Sequence, residues 1–224
     1  MNSSWNAGRL FGIDIKIHIT FLFLLVWVGF SALLSGGSLT AAFSNLLFIL
    51  ALFFVVVLHE LGHALMAGRF GIKTKDITLL PIGGLARLER IPEKPKEEWL
   101  VAFAGPAVNI VISIILFAAL LLGGAFTQPF DMAAMLDNFW MRLLSANVML
   151  VAFNLIPAFP MDGGRVFRAL LASRMDYVKA TRLAANVGRG FAVVMGIAGF
   201  FFEPWLILTA IFVWSGAGAE ANSV

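Results

Sequence analysis

No cysteine occurs among the 224 residues, which excludes a disulfide scaffold, a thiolate zinc site and a thiol nucleophile. Charge is scarce as well. Asp, Glu, Lys and Arg make up 13% of the chain while 60% is hydrophobic, and the mean hydropathy is +0.92; soluble domains carry roughly twice that charge. That balance speaks against a water-soluble globule. An abundance of phenylalanine, 22 residues, with so little charge excludes a disordered chain. Long-period repeats and low-complexity linkers are missing too. The apolar run from Ile19 to Leu34 has no small-residue cleavage site of the usual kind and is followed by further runs, so it is not read as a cleavable leader.

What is present is a series of six apolar stretches, at roughly 17–35, 43–67, 99–124, 139–156 continuing after a break to 172, 186–202 and 204–219. A bilayer core of about 30 Å takes about 20 helical residues, so the pattern predicts an all-α polytopic membrane protein with six transmembrane helices. The last two stretches, parted by Glu203-Pro204, read as a helical hairpin. The net charge of +3 is distributed as membrane topology, not as a nucleic-acid surface. Arg69, Lys73, Lys75, Arg87, Arg90, Lys94 and Lys96 fill the segment between stretches two and three, whereas Ser35 to Ala42 and Gly123 to Phe139 hold no basic residue. Arg9 and Lys16, and the basic residues from Arg165 to Arg189, fall on the same side as that loop; Arg142 alone dissents. The positive-inside rule then places both termini and the 69–98 loop in the cytoplasm of a multi-pass cell-membrane protein.

Two segments do not read as helix. Ile13, Ile15, Ile17 and Ile19 alternate with Gly12, Asp14, Lys16 and His18, the period of a half-buried strand. Between residues 71 and 90, Pro81 and Gly83-Gly84 separate two short apolar runs, which suits a hairpin, with an irregular basic loop as the alternative. Together these segments predict a small β-sheet at the cytoplasmic membrane surface.

The chemistry begins at His59-Glu60-Leu61-Gly62-His63. Residues i and i+4 of a helix share one face about 5–6 Å apart, so both imidazoles can reach one metal ion with Glu60 held beside it. Thirteen apolar residues, Leu46 to Leu58, run directly into this motif. At 1.5 Å per residue, His59 lies about 22 Å along the helix from Ser44, and His63 about 9 Å from Arg69. The pair therefore sits within the hydrocarbon layer, nearer the cytoplasmic face, where ionisable groups signal function by default.

A third ligand must come from a short inventory. The remaining histidine, His18, lies on the alternating strand and reads as an interfacial residue. Among the acids, Asp162 stands in an apolar context, Asn154-Leu155-Ile156-Pro157-Ala158-Phe159-Pro160-Met161-Asp162-Gly163-Gly164. Pro157 and Pro160 lack the N–H groups that a continuous helix needs, so the span breaks there. Irregular backbone at membrane depth must line protein or water, and a break carrying an Asp toward a polar cavity meets that condition.

HELGH in an apolar span, followed far downstream by Asn-x-x-Pro-x-x-Pro-x-Asp-Gly, resembles the site-2 protease family of intramembrane zinc metalloproteases, in its prokaryotic and archaeal form. Ala104-Gly105-Pro106-Ala107-Val108-Asn109 and Pro81-Ile82-Gly83-Gly84 are similar to further motifs of that family. The resemblance covers approximately residues 43–170 as a core within a single domain, 1–224. It implies one zinc ion held by His59, His63 and Asp162, with Glu60 as catalytic base. It implies transmembrane protein substrates in the lipid bilayer, no nucleic-acid partner, and a place in regulated intramembrane proteolysis. The segments between the stretches are too short for the PDZ domain many members insert, and the CBS domains others carry after the last span would begin where this sequence stops, at Val224.

On this reading Glu60 takes a proton from a water activated by zinc and returns it to the leaving amine. Asn154, eight residues before Asp162, suits a contact to the substrate carbonyl or oxyanion; interhelical hydrogen bonding is the alternative. Asn109 is read as a polar packing contact. A strand at 12–19 or within 71–90 is expected to offer an open edge to an unwound substrate. A membrane metal-ion carrier or an inactive metal-binding scaffold remains the rival class, but neither needs a glutamate at the fixed offset of HExxH, and carriers often show repeated halves that this sequence lacks.

Overall fold

The computed structural model describes residues 4–90, 92, 94–126 and 138–224. Part of the basic-free segment between Gly123 and Phe139, residues 127–137, lies outside the described residues. Four strands and seven helices are described: β1 (Ser4–Leu10), β2 (Ile13–His18), α1 (Ile19–Leu34), α2 (Leu39–Arg69), β3 (Thr74–Leu80), β4 (Gly83–Leu88), α3 (Pro95–Leu122), α4 (Phe139–Asn154), α5 (Asp162–Ala172), α6 (Tyr177–Phe201) and α7 (Trp205–Ala221). Contacts divide the chain into two units, 1–90 with 107–150, and 91–106 with 151–224.

In the first unit the strands form one sheet in the order β1-β2-β3-β4. β1 and β2 are antiparallel, joined by Phe11-Gly12 with φ of 50° and 82°, the two positive values that a tight two-residue hairpin of matching twist requires. β2 and β3 run parallel, Ile15 opposite Ile77 and Ile17 opposite Leu79. A parallel pair needs a long crossover, and α1 with α2 supplies it. β3 and β4 are antiparallel across Pro81-Ile82.

The isoleucine alternation settles which face is inside. Ile13, Ile15, Ile77 and Leu79 pack with Phe21 of α1 and Phe53, Val57, Leu61 and Ala64 of α2 in one buried cluster. Both sequence-predicted β segments are present, and the 71–90 hairpin is realised in place of the irregular loop. β1 was not legible, because Ser4–Leu10 is largely exposed and shows no alternation. Its presence also corrects one expectation: β2 is paired on both sides, so 12–19 offers no open edge, and β1 and β4 are the edges.

Three helices, α2, α3 and α6, are long and apolar enough to cross a membrane; α1, α4 and α7 are shorter apolar helices. α6 begins at Tyr177, well before the apolar stretch at 186, because Asp176 caps it by accepting from the amides of Val178 and Lys179. The dissenting Arg142 ties α4 to α2: its guanidinium donates to Asn45 Oδ1 at 3.3 and 3.4 Å and lies 4.3 Å from the Phe48 ring centroid. Asn147 of α4 donates its amide to the Asn109 carbonyl at 2.7 Å and to Ser113 Oγ at 2.8 Å. Asn109 is thus part of a helix-packing contact, made through its backbone.

The second unit is held by small residues and one buried cation. Phe159 packs with Ala184, Ala185 and Ala217, and Ala158 with Ala192 and Val213. Arg168 of α5 is 1% exposed. Its Nε donates to Glu98 Oε1 at 2.7 Å and its Nη1 to Glu220 Oε1 at 2.5 Å, while the guanidinium lies 5.0 Å from the Phe159 ring and 5.1 Å from that of Tyr177.

Candidate metal centre

His59 and His63 stand one turn apart on α2, both buried at 6% and 8% exposure. Leu61 on the opposite side of that turn enters the sheet-facing core, which fixes the rotation of the helix and turns the imidazoles away from it. Their Nε2 atoms are 3.1 Å apart, with the rings at 80°. Two imidazoles on one tetrahedral zinc, at about 2.0–2.1 Å each, have nitrogens about 3.3 Å apart. The pair fits a shared ion.

Glu60 is placed by the sheet. Its Oε2 accepts from the backbone amide of Ala86 on β4 at 3.2 Å. Gly84 makes the approach possible, since a Cβ there would lie 2.6 Å from Glu60 Cγ and 3.1 Å from Val56 Cγ1. The motif on α2 and the Pro81-Ile82-Gly83-Gly84 turn are thus one piece of architecture within the first unit.

Asp162 belongs to the second unit, where it is the first residue of α5 and is buried at 8% exposure. α4 ends at Asn154, and the chain from 155 to 161 is irregular, as Pro157 and Pro160 predict. The glycines that follow Asp162 let α5 start hard against this break. A Cβ on Gly163 would meet the Leu155 and Ile156 carbonyls at 2.3–2.5 Å, and one on Gly164 would meet Ala158 and Phe159 backbone at 2.7 Å. Asn154 is half-buried at the end of α4.

The other candidate donors are engaged elsewhere. His18 caps α1, its Nδ1 2.7 Å from Thr20 Oγ1 and 3.3 Å from the Thr20 amide, so it is a capping residue. Asp76 and Glu98 are buried acids that the sequence did not single out, at 2% exposure each. Both are matched to cations. Asp76 binds Lys16 Nζ at 2.7 Å, Arg87 Nε at 2.7 Å and Arg87 Nη2, and the Arg87 hydrogen bond, opposed by burial and aided by Lys16, holds its carboxyl down at about 2. Signals for these pairs lay in the sequence only as isolated charges.

Two imidazoles and a glutamate on one turn of an apolar helix define the class: a metallopeptidase-type centre of the HExxH kind. The sequence profile of Peptidase family M50 matches residues 47–195. Over its whole length the chain is 42% identical to the zinc metalloprotease MJ0392 of Methanocaldococcus jannaschii and 35% identical to the putative zinc metalloprotease sll0528 of Synechocystis. It spans about three fifths of those relatives, 62% and 61% of their lengths. Among solved structures, the site-2 protease from M. jannaschii matches with a TM-score of 0.68 at 38% identity, over 97% of this chain and 95% of that one. The chain belongs to Peptidase family M50, the site-2 protease family.

Proposed function

We propose that residues 1–224 act as a single intramembrane protease domain that hydrolyses peptide bonds in or near the transmembrane segments of membrane-protein substrates, as a step of regulated intramembrane proteolysis. The observation that carries this reading is the convergence of two buried imidazoles, His59 and His63, with Glu60 beside them on an apolar helix of 31 residues. His59, His63 and Asp162 hold one zinc ion per chain. In support, the His59 and His63 Nε2 atoms lie 3.1 Å apart and all three side chains are buried, and two imidazoles with a carboxylate are a donor set that zinc accepts. Zinc, when bound, supplies a Lewis acid and an activated water.

The chain's own residues do the rest. Glu60 accepts the proton of the attacking water and carries it to the leaving amine. Asn154, at the polar break, offers its amide to the substrate carbonyl as negative charge develops there. β4, an open edge beside Glu60, offers backbone groups to a segment that has left its helix, because an unwound stretch at membrane depth has N–H and C=O groups to satisfy.

Six helices, α1 to α4 with α6 and α7, span the cell membrane with both termini in the cytoplasm, and the sheet lies at that face. The charge distribution supports this orientation, with Arg142 absorbed by Asn45 and Phe48. The rival class, a metal carrier or inert scaffold, has no use for the Glu60 contact to β4. Glu60→Gln separates them: zinc content is expected to stay at one per chain while cleavage of a single-span substrate falls by at least about a hundredfold. Undiminished cleavage overturns the catalytic role, and no cleavage by the unaltered protein favours the carrier.

A further inference from the structure

β4 pairs with β3 so that Leu80 faces Gly83 across the two-residue loop, Leu79 faces Gly84 and Ile77 faces Ala86. In an antiparallel pair hydrogen-bonded and non-hydrogen-bonded positions alternate. Counting from the loop-closing pair, Gly84 and Ala86 are non-hydrogen-bonded positions, so their amides point away from β3, into the open edge. A strand adding to that edge must place a carbonyl on the Ala86 amide. That amide is already taken, because it donates to Glu60 Oε2.

From this we infer that Glu60 and the substrate backbone compete for one donor, the Ala86 N–H, so that strand addition to β4 is what releases the catalytic base. The inference rests on the protease reading and on Glu60 being its base. Without substrate, a charge-assisted hydrogen bond holds the carboxylate against the sheet. A segment that unwinds and pairs with β4 replaces Glu60 on the amide, and the carboxylate turns to the attacking water. A segment that stays helical has no free carbonyl to offer, and Glu60 stays latched. Selection of unwound segments is then built into the base itself, a form of induced fit. The bare Cα of Gly84 serves this device, since its Cβ would meet Glu60 Oε1 at 3.1 Å and Cγ at 2.6 Å and drive strand and glutamate apart.

The test removes the single N–H. Lactate incorporated in place of Ala86 turns the amide into an ester; because that N–H faces away from β3 no ladder donor is lost, and the accompanying weakening of the Leu85 carbonyl, which faces Thr78, is controlled by Ala86→Pro, which removes the same N–H but keeps an amide carbonyl at Leu85 and is tolerated at an outward edge position. In zinc-loaded full-length protein in nanodiscs, isotope-edited infrared spectroscopy reads the Glu60 carboxylate band, assigned by its loss in Glu60→Gln. The probes are a capped octapeptide of alternating valine and threonine and its fully N-methylated counterpart, which has no N–H on either side and cannot add to an edge; both are checked as intact by mass spectrometry. The band is expected to shift on adding the first peptide, to shift the same way in the ester protein without peptide, and to stay put with the N-methylated peptide.

In the ester protein the Glu60 bond and the substrate bond to that position are lost together, so KM for a single-span substrate is expected to stay within about three-fold of the unaltered value with kcat retained, whereas a rise of about five-fold or more, one uncompensated hydrogen bond, overturns the competition. A band that does not move in the ester protein, a peptide that binds without moving it, or a peptide that fails to bind overturns the inference. Failure of the protease reading looks different: no cleavage that depends on Glu60, whatever the band does.

Discussion

Arg168 Nε donates to Glu98 Oε1 at 2.7 Å across 70 residues of sequence, with both side chains at 2% exposure or less. A second carboxylate, Glu220 near the end of α7, holds the other side of the guanidinium at 2.5 Å. Removing one member of a buried pair leaves the other uncompensated, at a cost of about 3–5 kcal/mol. Arg168→Met is therefore expected to lower the thermal unfolding temperature steeply, followed by tryptophan fluorescence in detergent. Neutralising all three residues together is expected to recover most of the loss. A single substitution within about 1 kcal/mol of the unaltered protein would show that water reaches the pair.

Zinc content tests the ligand set. Elemental analysis is expected to give about one zinc per chain, falling well below half in His59→Ala, His63→Ala and Asp162→Ala. Full retention in Asp162→Ala removes that residue from the coordination.

Acid should loosen the sheet before it unfolds the helices. The Asp76 carboxyl is lowered to about 2 in the folded protein from an ordinary value of 3.8. A depressed acid stabilises the fold fully above its unfolded value, and that contribution is lost as pH falls through the folded one. The window thus runs from about pH 4 down to about 2, and the contribution is about 2 kcal/mol. Hydrogen exchange of the β3 and β4 amides is expected to lose protection across that window. In Asp76→Asn it should be lower at neutral pH and flat across the window; a flat profile in the unaltered protein contradicts the ion cluster's role.

Topology can be read with two labels, since the chain carries no cysteine. Cysteines at Lys94 and at Ser38 are expected to react with an impermeant maleimide from opposite faces of sealed vesicles. Labelling of both from one face would contradict the six-span arrangement.

Much of the centre was legible because its logic is local. His59, Glu60 and His63 lie within one helical turn and a fraction, so helix periodicity alone brings the imidazoles together, and Pro157 and Pro160 break a helix wherever they fall. The isoleucines of β2 announced their buried face by period. β1 did not, since an exposed edge strand has no apolar pattern to show, and its position then decided that β4 and not β2 carries an open edge next to α2. Asp76 and Glu98 read as ordinary loop and span-end charges, because a cation that neutralises a buried acid is visible only when the chain is folded.

By itself, the sequence determined the apolar helices, the break before Asp162, the buried face of β2 and the turn that pairs His59 with His63, all of which follow from hydropathy, period and the chemistry of proline and histidine over a few consecutive residues. Tertiary structure alone decided the pairings. Glu60 meets Ala86 across 26 residues, Lys16 meets Asp76 across 60, and Arg168 meets Glu98 and Glu220 across 70 and 52. Each of these depends on which strand lies beside which and on how a helix is rotated over a sheet. Those are properties of packing, in which a partner is chosen by proximity in space and leaves no periodic trace along the chain.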